Sequence, residues 1–328
     1  MKIAVVGATG VVGLEMVRVL AERVKPKRDY ELRLFASRAR PQEKVLALEE
    51  SWESLGECDF VLNATGDDVA RTLESRLRDG QVLIDNSSAF RMGAGYPLVV
   101  PEVNAHRLKA RPPVVANPNC TAILLCVALK PLTAFGLERV VVSTYQAASG
   151  AGLKGLEELE AQQRALGRGE ALPTPEVFPF HLAGNVLSHN SKVRVGEGPG
   201  QGYNEEEWKV VEESRKMLEL PTLSISATCI RVPVARAHSE AVTVDVERDF
   251  SLEAIRAAWA GAPGLRIVDE PELNHFPMPI ESQNQDLVFV GRLRRDISRP
   301  RTLHFFLSGD QIRKGAATNA VQILERYL

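Results

Sequence analysis

The chain opens on a short β-forming run, Lys2-Ile3-Ala4-Val5-Val6, that passes directly into Gly7-Ala8-Thr9-Gly10-Val11-Val12-Gly13. This junction restricts the fold more than any other stretch. Glycines between a buried parallel strand and a helix let backbone N–H groups approach a pyrophosphate at the positive end of the helix dipole. The helix is legible in Val12, Met16, Val17, Leu20 and Val24, spaced to fall on one face, with Pro26 just past its end. Glu31–Ala36 reads as a second strand and completes a βαβ unit. A glycine pattern alone says little, since it also closes tight turns in other doubly wound domains. Between this strand and this helix it points to a dinucleotide cradled by Gly7, Thr9, Gly10, Val11, Val12 and Gly13.

The end of the second strand selects the dinucleotide. NAD-binding folds usually place a carboxylate there for the ribose 2′-hydroxyl. Here the residues are Ala36-Ser37-Arg38-Ala39-Arg40. Ser37 with Arg38 or Arg40 suits a 2′-phosphate, through a hydroxyl donor and a guanidinium, so NADP is expected over NAD. The alternative is that these arginines are solvated surface charge.

Length and charge narrow the rest. At 328 residues two domains are expected. Lys and Arg total 40 against 42 Asp and Glu, so no cationic surplus faces a nucleic acid or an anionic membrane. The longest apolar run, Ala122–Leu129, falls far short of the ~20 residues that span a bilayer. Gly7 and Gly10 interrupt the N-terminal apolar stretch before signal-peptide length, and a cytoplasmic chain is expected.

Further short buried strands are expected at Asp59–Asn63, Gln81–Asp85 and Pro97–Val100, with a crossover helix over Val69–Leu77. From Gly136 the texture changes to longer alternating stretches, Arg139–Tyr145, Leu223–Val234 and Ala241–Glu247, suited to a mixed sheet with one covered face. Gly167–Gly202 reads as an irregular excursion and Gln311–Leu328 as a helix packing back on the first domain. The fold class is therefore α/β. A Rossmann-like dinucleotide-binding domain spans residues 1–119 plus the terminal helix 311–328, and an α+β domain with a mixed sheet spans 120–310.

The four cysteines, Cys58, Cys120, Cys126 and Cys229, show neither a C-x-x-C pair nor metal-ligand spacing, so any that matters acts as a thiol and no metal is expected. Asn117-Pro118-Asn119-Cys120-Thr121 leads into the apolar run and sets Cys120 at a helix N-terminus, where the dipole favours a thiolate. Spacing leaves two readings open, an activated nucleophile and a buried structural thiol. With a dinucleotide, an activated thiol points to aldehyde oxidation through a thioester. Asn204 and Glu207 form a capping signature for a helix with an apolar stripe of Trp208, Val211 and Leu218, on which Glu206 and Lys209 share a side. Arg231 lies inside an apolar stretch and wants an anionic partner, structural or substrate.

Taken together, several segments make the chain resemble the aspartate-semialdehyde dehydrogenases along nearly its whole length. They are Gly7–Gly13, Asp85–Arg91, Val100–Asn104, Asn117–Thr121, Tyr145–Gly152, Arg231–Val234, His238–Glu240 and Arg313–Ala320. The resemblance implies reversible reduction of aspartyl β-phosphate by NADPH to aspartate β-semialdehyde and phosphate, a step toward lysine, threonine and methionine. It further implies Cys120 as nucleophile, Gln146 as a group positioning the thiol and the acyl intermediate, and His238 as general acid and base. Arg231 would bind the substrate carboxylate, Glu206 its ammonium, and Arg91, Asn119 and Lys209 the phosphate. Ser149, Gly150 and Asn319 would join the cofactor site, and the second domain would carry catalysis and dimerisation, in a homodimer or a dimer of dimers. The family commonly reads Ser-x-Arg after the second strand, so Arg38 and Arg40 both remain candidates. Two rivals share the build: N-acetyl-glutamyl-phosphate reductase, which usually reads Asn-Pro-Gly-Cys around its thiol, and a non-catalytic NADP-binding sensor, which has no need of Cys120, Gln146 and His238 together.

Overall fold

The computed structural model describes all 328 residues, which divide into two units, Met1–Cys120 with Gly315–Leu328, and Thr121–Lys314. In the first unit, β1 (Lys2–Val6), β2 (Glu31–Ala36), β3 (Val45–Ala47), β4 (Phe60–Asn63), β5 (Val82–Asp85) and β6 (Val114–Ala116) form one sheet, ordered β3-β2-β1-β4-β5-β6. Every pairing in it is parallel. Parallel strands need crossovers on the sheet faces and are apolar on both sides, as Ile3, Ala4 and Val5 show by their complete burial. Helix Val11–Arg23 packs Met16, Val19 and Leu20 against the sheet, and the C-terminal helix Thr318–Glu325 adds Val321, Ile323 and Leu324 to the same core.

Three expectations for this unit are corrected. Pro97–Val100 makes a single bridge, Leu98 to Ala116, and the strand beside β5 is Val114–Ala116. Pro97 has no N–H to donate, and the Asn104 side chain instead closes the segment, accepting from Val100 N and donating to Leu98 O. The crossover helix runs over Asp67–Ser75. The terminal helix is shorter than its pattern: Asp310 Oδ1 accepts from the backbone N–H of Ile312 and of Arg313, and Arg313–Ala317 coil as a π-helical turn before the α-helix begins.

In the second unit, β7 (Leu137–Gln146), β8 (Ser224–Arg231), β9 (His238–Val246), β10 (Leu265–Ile267), β11 (Val288–Arg295) and β12 (Thr302–Gly309) form a mixed sheet, ordered β10-β11-β12-β9-β7-β8. β7–β8 and β10–β11 are parallel and the remaining pairs antiparallel. Alternation is clean in the central strands. Val140, Val142, Thr144 and Gln146 of β7 turn to the buried side, while Val141, Ser143 and Tyr145 face the open side. Helix Cys120–Leu129 is apolar all round and accordingly buried from Thr121 onward; Trp259 Nε1 donates to Ala128 O. No helix is formed between Arg168 and Glu205, the stretch read as an irregular excursion. No helix is long and apolar enough to cross a membrane.

Candidate active site

In the first unit the glycine loop has the geometry its spacing implies. Gly7 adopts φ +81°, a region that disfavours side chains, and a Cβ there would meet Thr65 Cγ2 at 2.8 Å. A Cβ on Gly13 would lie 2.2 Å from Gly7 O, so the first helical turn packs on the loop only without a side chain. The loop is tied to the neighbouring strand, since the N–H groups of Gly7 and Ala8 both donate to Phe35 O. Gly10 caps the helix with no side-chain hydrogen bond, and no acidic residue stands in the first turn that holds Val11 and Val12. The helix end is left to the dipole and its own N–H groups, which suits a phosphate. Thr9 is half-buried in the loop. Ser37 and Arg38 follow β2 directly and are exposed. Arg40 is engaged by Glu43 at 3.5 Å and by backbone pairing with Val45, whereas Arg38 makes no ion pair.

Arg91 and Cys120 follow the C-terminal ends of adjacent strands. Arg91 donates to Ser87 O and Asn86 O at 2.8 Å each, after β5. Asn117 N donates to Asp85 O at 2.7 Å, which fixes the Asn117–Cys120 segment beside it. Asn119 is buried and Cys120 half-buried as the first residue of its helix. The other thiols are buried. Burial pushes Cys58 up to about 11 and Cys126 to about 12, and raises Cys229 further, so all three are inert at neutral pH. Asn319 lies beside the Asn117–Cys120 segment. It is fully buried, and its amide donates to Val99 O at 2.9 Å and Asn117 Oδ1 at 2.7 Å, so it braces that segment.

In the second unit the end of β7 is a hub. Ala147 N donates to His238 Nδ1 at 3.0 Å, and Arg231 Nη1 donates to Ala147 O. Register sets Gln146 opposite Arg231 on β8. His238 is fully buried, and burial followed by the Arg231 charge pushes its pKa well below the usual value. The ring is therefore neutral. Because Nδ1 accepts from Ala147, the proton sits on Nε2, a buried atom with no partner in the protein. Gly150 closes over both groups, with its missing Cβ 2.9 Å from Arg231 Nη1 and 3.3 Å from His238 Nε2. Ser149 Oγ donates to Ala235 O and accepts from Gln311 Nε2 at 2.6 Å.

Gln146 Nε2 donates to Thr121 Oγ1 at 3.0 Å and to Glu206 Oε1 at 3.2 Å. Glu206 is carried by helix Glu205–Leu218, whose expected cap is complete: Asn204 Oδ1 accepts from Glu207 N, and Glu207 Oε2 accepts from Asn204 N. Lys209 is half-buried on the same helix. Trp208 departs from the expected stripe. It stays half-exposed against Tyr203, and the buried face is Val210, Val211, Ser214, Met217 and Leu218.

The structure thus brings Gln146, Glu206, Arg231, His238, Ser149 and Gly150 together in the second unit. Sequence reasoning missed the backbone hub at Ala147, Thr121, and Asn190, which donates to Gln146 Oε1. A main-chain role leaves no residue signature, and Asn190 lies in an irregular stretch where spacing carries no information.

A dinucleotide loop in one unit and a buried polar cluster on a mixed sheet in the other define a two-part dehydrogenase. The semialdehyde dehydrogenase NAD-binding domain matches residues 2–111, and the semialdehyde dehydrogenase dimerisation domain matches residues 129–314. The chain is 44% identical to the aspartate-semialdehyde dehydrogenase of Synechocystis sp., covering 99% of this chain and 96% of that one. Against the Aquifex aeolicus enzyme of that name it is 41% identical, over 99% and 97%. The structure of aspartate semialdehyde dehydrogenase II from Vibrio cholerae complexed with ASA superposes with a TM-score of 0.89 at 35% identity, covering 99% of this chain and 97% of that one. The chain belongs to the semialdehyde dehydrogenase family and, within it, to the aspartate-semialdehyde dehydrogenases.

Proposed function

We propose that the chain catalyses the reversible, NADP-dependent conversion of aspartate β-semialdehyde and phosphate to aspartyl β-phosphate through a thioester on Cys120. The observation that carries this reading is the half-buried thiol at a helix start in a chain whose other three thiols are buried with raised pKa values. In the oxidative direction the Cys120 thiolate adds to the aldehyde carbon and its oxygen becomes an alkoxide. His238, neutral with its proton on Nε2, offers that proton as a hydrogen bond to the oxygen as charge develops and stabilises the alkoxide from that atom. The bound nicotinamide supplies the hydride acceptor. Once the thioester has formed, phosphate oxygen attacks its carbonyl carbon and the C–S bond breaks, returning the thiolate.

Arg231 binds the substrate carboxylate, held in place by its bond to Ala147 O, and Glu206 takes the ammonium while fixing the Gln146 amide. Arg91, Asn119 and Lys209 hold the phosphate. Lys209 is a half-buried cation on the helix that carries Glu206. Arg38 with Ser37 reads the 2′-phosphate, since Arg40 is already paired.

The chain works as a homodimer, assembled in pairs or as a dimer of dimers, through the open face of the mixed sheet, where Tyr145 and Thr228 are exposed. With four free thiols, it acts in the cytoplasm. The test is NADPH absorbance on adding aspartate semialdehyde and NADP, with and without phosphate. Phosphate-dependent turnover is expected, and turnover indifferent to phosphate and arsenate would remove the proposal. The acetyl-glutamyl reading is not favoured by the relatives above.

A further inference from the structure

On the function just proposed, we propose that Asn190 is a specificity-determining residue that accepts a hydrogen bond from the substrate ammonium beside Glu206. The argument is one of hydrogen-bond polarity passed from group to group. A carboxylate only accepts, so Glu206 Oε1 forces the Gln146 amide to present its NH2, which it also gives to Thr121 Oγ1. The Gln146 carbonyl is thereby turned the other way, where it accepts from Asn190 Nδ2 and Thr144 Oγ1. A reversed Asn190 would set two carbonyl oxygens against each other. Asn190 Oδ1 must therefore point away from Gln146, and it is a buried acceptor with no partner in the protein.

Buried polar atoms without partners are uncommon and need a reason. The surroundings supply one. Ser191, the next residue, accepts from Glu206 N at 3.0 Å and donates to Asn204 Oδ1 at 3.1 Å, so Asn190 and Glu206 are held by one short segment at the start of the same helix. Gln146 lies between them, and Arg231, the carboxylate partner, is opposite Gln146 in register. A substrate that places its carboxylate at Arg231 and its ammonium at Glu206 brings three N–H donors into this neighbourhood. A second acceptor that is neutral and directional meets one of them without adding a charge. The aldehyde alone offers nothing to this atom, so its value is confined to substrates that carry the α-amino group.

The test compares aspartate semialdehyde with succinate semialdehyde, the same four-carbon aldehyde without the amino group, in the wild type, Asn190→Leu and Glu206→Gln. Asn190→Leu also removes the Nδ2 bond to Gln146, a loss shared by both aldehydes, so kcat/KM is expected to fall for both and about ten- to hundredfold further for aspartate semialdehyde, the effect of one hydrogen bond to a charged group. An equal fall for both aldehydes would mean that Asn190 only orients Gln146, and no change for either would mean that it does neither; both overturn the proposal. If Asn190→Leu does not fold, Asn190→Ala removes the acceptor without added bulk and must show the same selective loss. A wild type inactive on aspartate semialdehyde would fail the functional reading itself, before any variant is compared.

Discussion

Gly150→Ala isolates the part of the site that the second unit builds. An ideal Cβ at this position falls 2.9 Å from Arg231 Nη1, 3.2 Å from His238 Cε1 and 3.3 Å from His238 Nε2. Ordinary carbon contacts begin near ~3.5 Å, so the guanidinium has to move by about half an ångström and the ring by a few tenths. Neither group is free to yield. Arg231 is bound to Ala147 O, and His238 is fully buried with its Nδ1 held by Ala147 N at 3.0 Å. Displacement of this kind at a reacting centre costs roughly 10²-fold in rate, or about 2.7 kcal/mol of transition-state stabilisation. The backbone accepts the change, because Gly150 does not need a positive φ, while the crowding of two held side chains costs about 1–3 kcal/mol of stability. The expected result is a fall of about a hundredfold in kcat/KM for aspartate semialdehyde, with Tm lowered by a few degrees and the KM for NADP moving little. A variant within about threefold of wild type would refute the close approach. A loss confined to the KM for NADP would show that the methyl obstructs the cofactor and leaves Arg231 and His238 in place.

Three further outcomes follow from single groups. Glu240 is fully buried, neither carboxylate oxygen has a partner, and burial raises its pKa well above the usual value. The folded state therefore keeps a proton that the unfolded chain has lost, and stability falls by about 1.4 kcal/mol per pH unit between the unfolded and folded pKa values. Denaturant melts should show Glu240→Gln gaining on wild type from pH 5 toward pH 8, and parallel pH profiles would contradict this. Lys209→Ala should raise the KM for phosphate strongly and leave that for semialdehyde near its original value, with Glu206→Gln showing the reverse; steady-state kinetics with both substrates varied separates them. Replacing Ser37 and Arg38 with alanine should weaken NADP by about 1.5–3 kcal/mol and NAD hardly at all, whereas equal losses would make the two residues structural.

Much of this was legible in the chain because it rests on local chemistry. The glycine loop, the Cys120 helix start and the Asn204–Glu207 cap each depend on a few consecutive residues with one physical reading. The second sheet was harder. In β11, Gly291 and three arginines mask the alternation, and a register irregularity between Gly291 and Arg294 breaks the period of two. Glu240 interrupts β9 on its buried side, where a carboxylate is not expected. The bracing of the Asn117–Cys120 segment by Asn319 was not legible, because only the two acceptors that take its amide reveal it. Ala147 acts through its N–H and C=O, which every residue but proline offers.

The central claim is a thioester on Cys120, and a single turnover without phosphate tests it most directly. Mixing the protein with aspartate semialdehyde and NADP should release close to one NADPH per chain in a burst. A mass increase equal to an aspartyl group should follow on the peptide that contains Cys120 and on no other thiol. Addition of phosphate should then discharge the adduct and start steady turnover, and Cys120→Ala should give neither burst nor adduct. A burst that survives in Cys120→Ala, or an adduct found on another residue, would contradict covalent catalysis at this thiol.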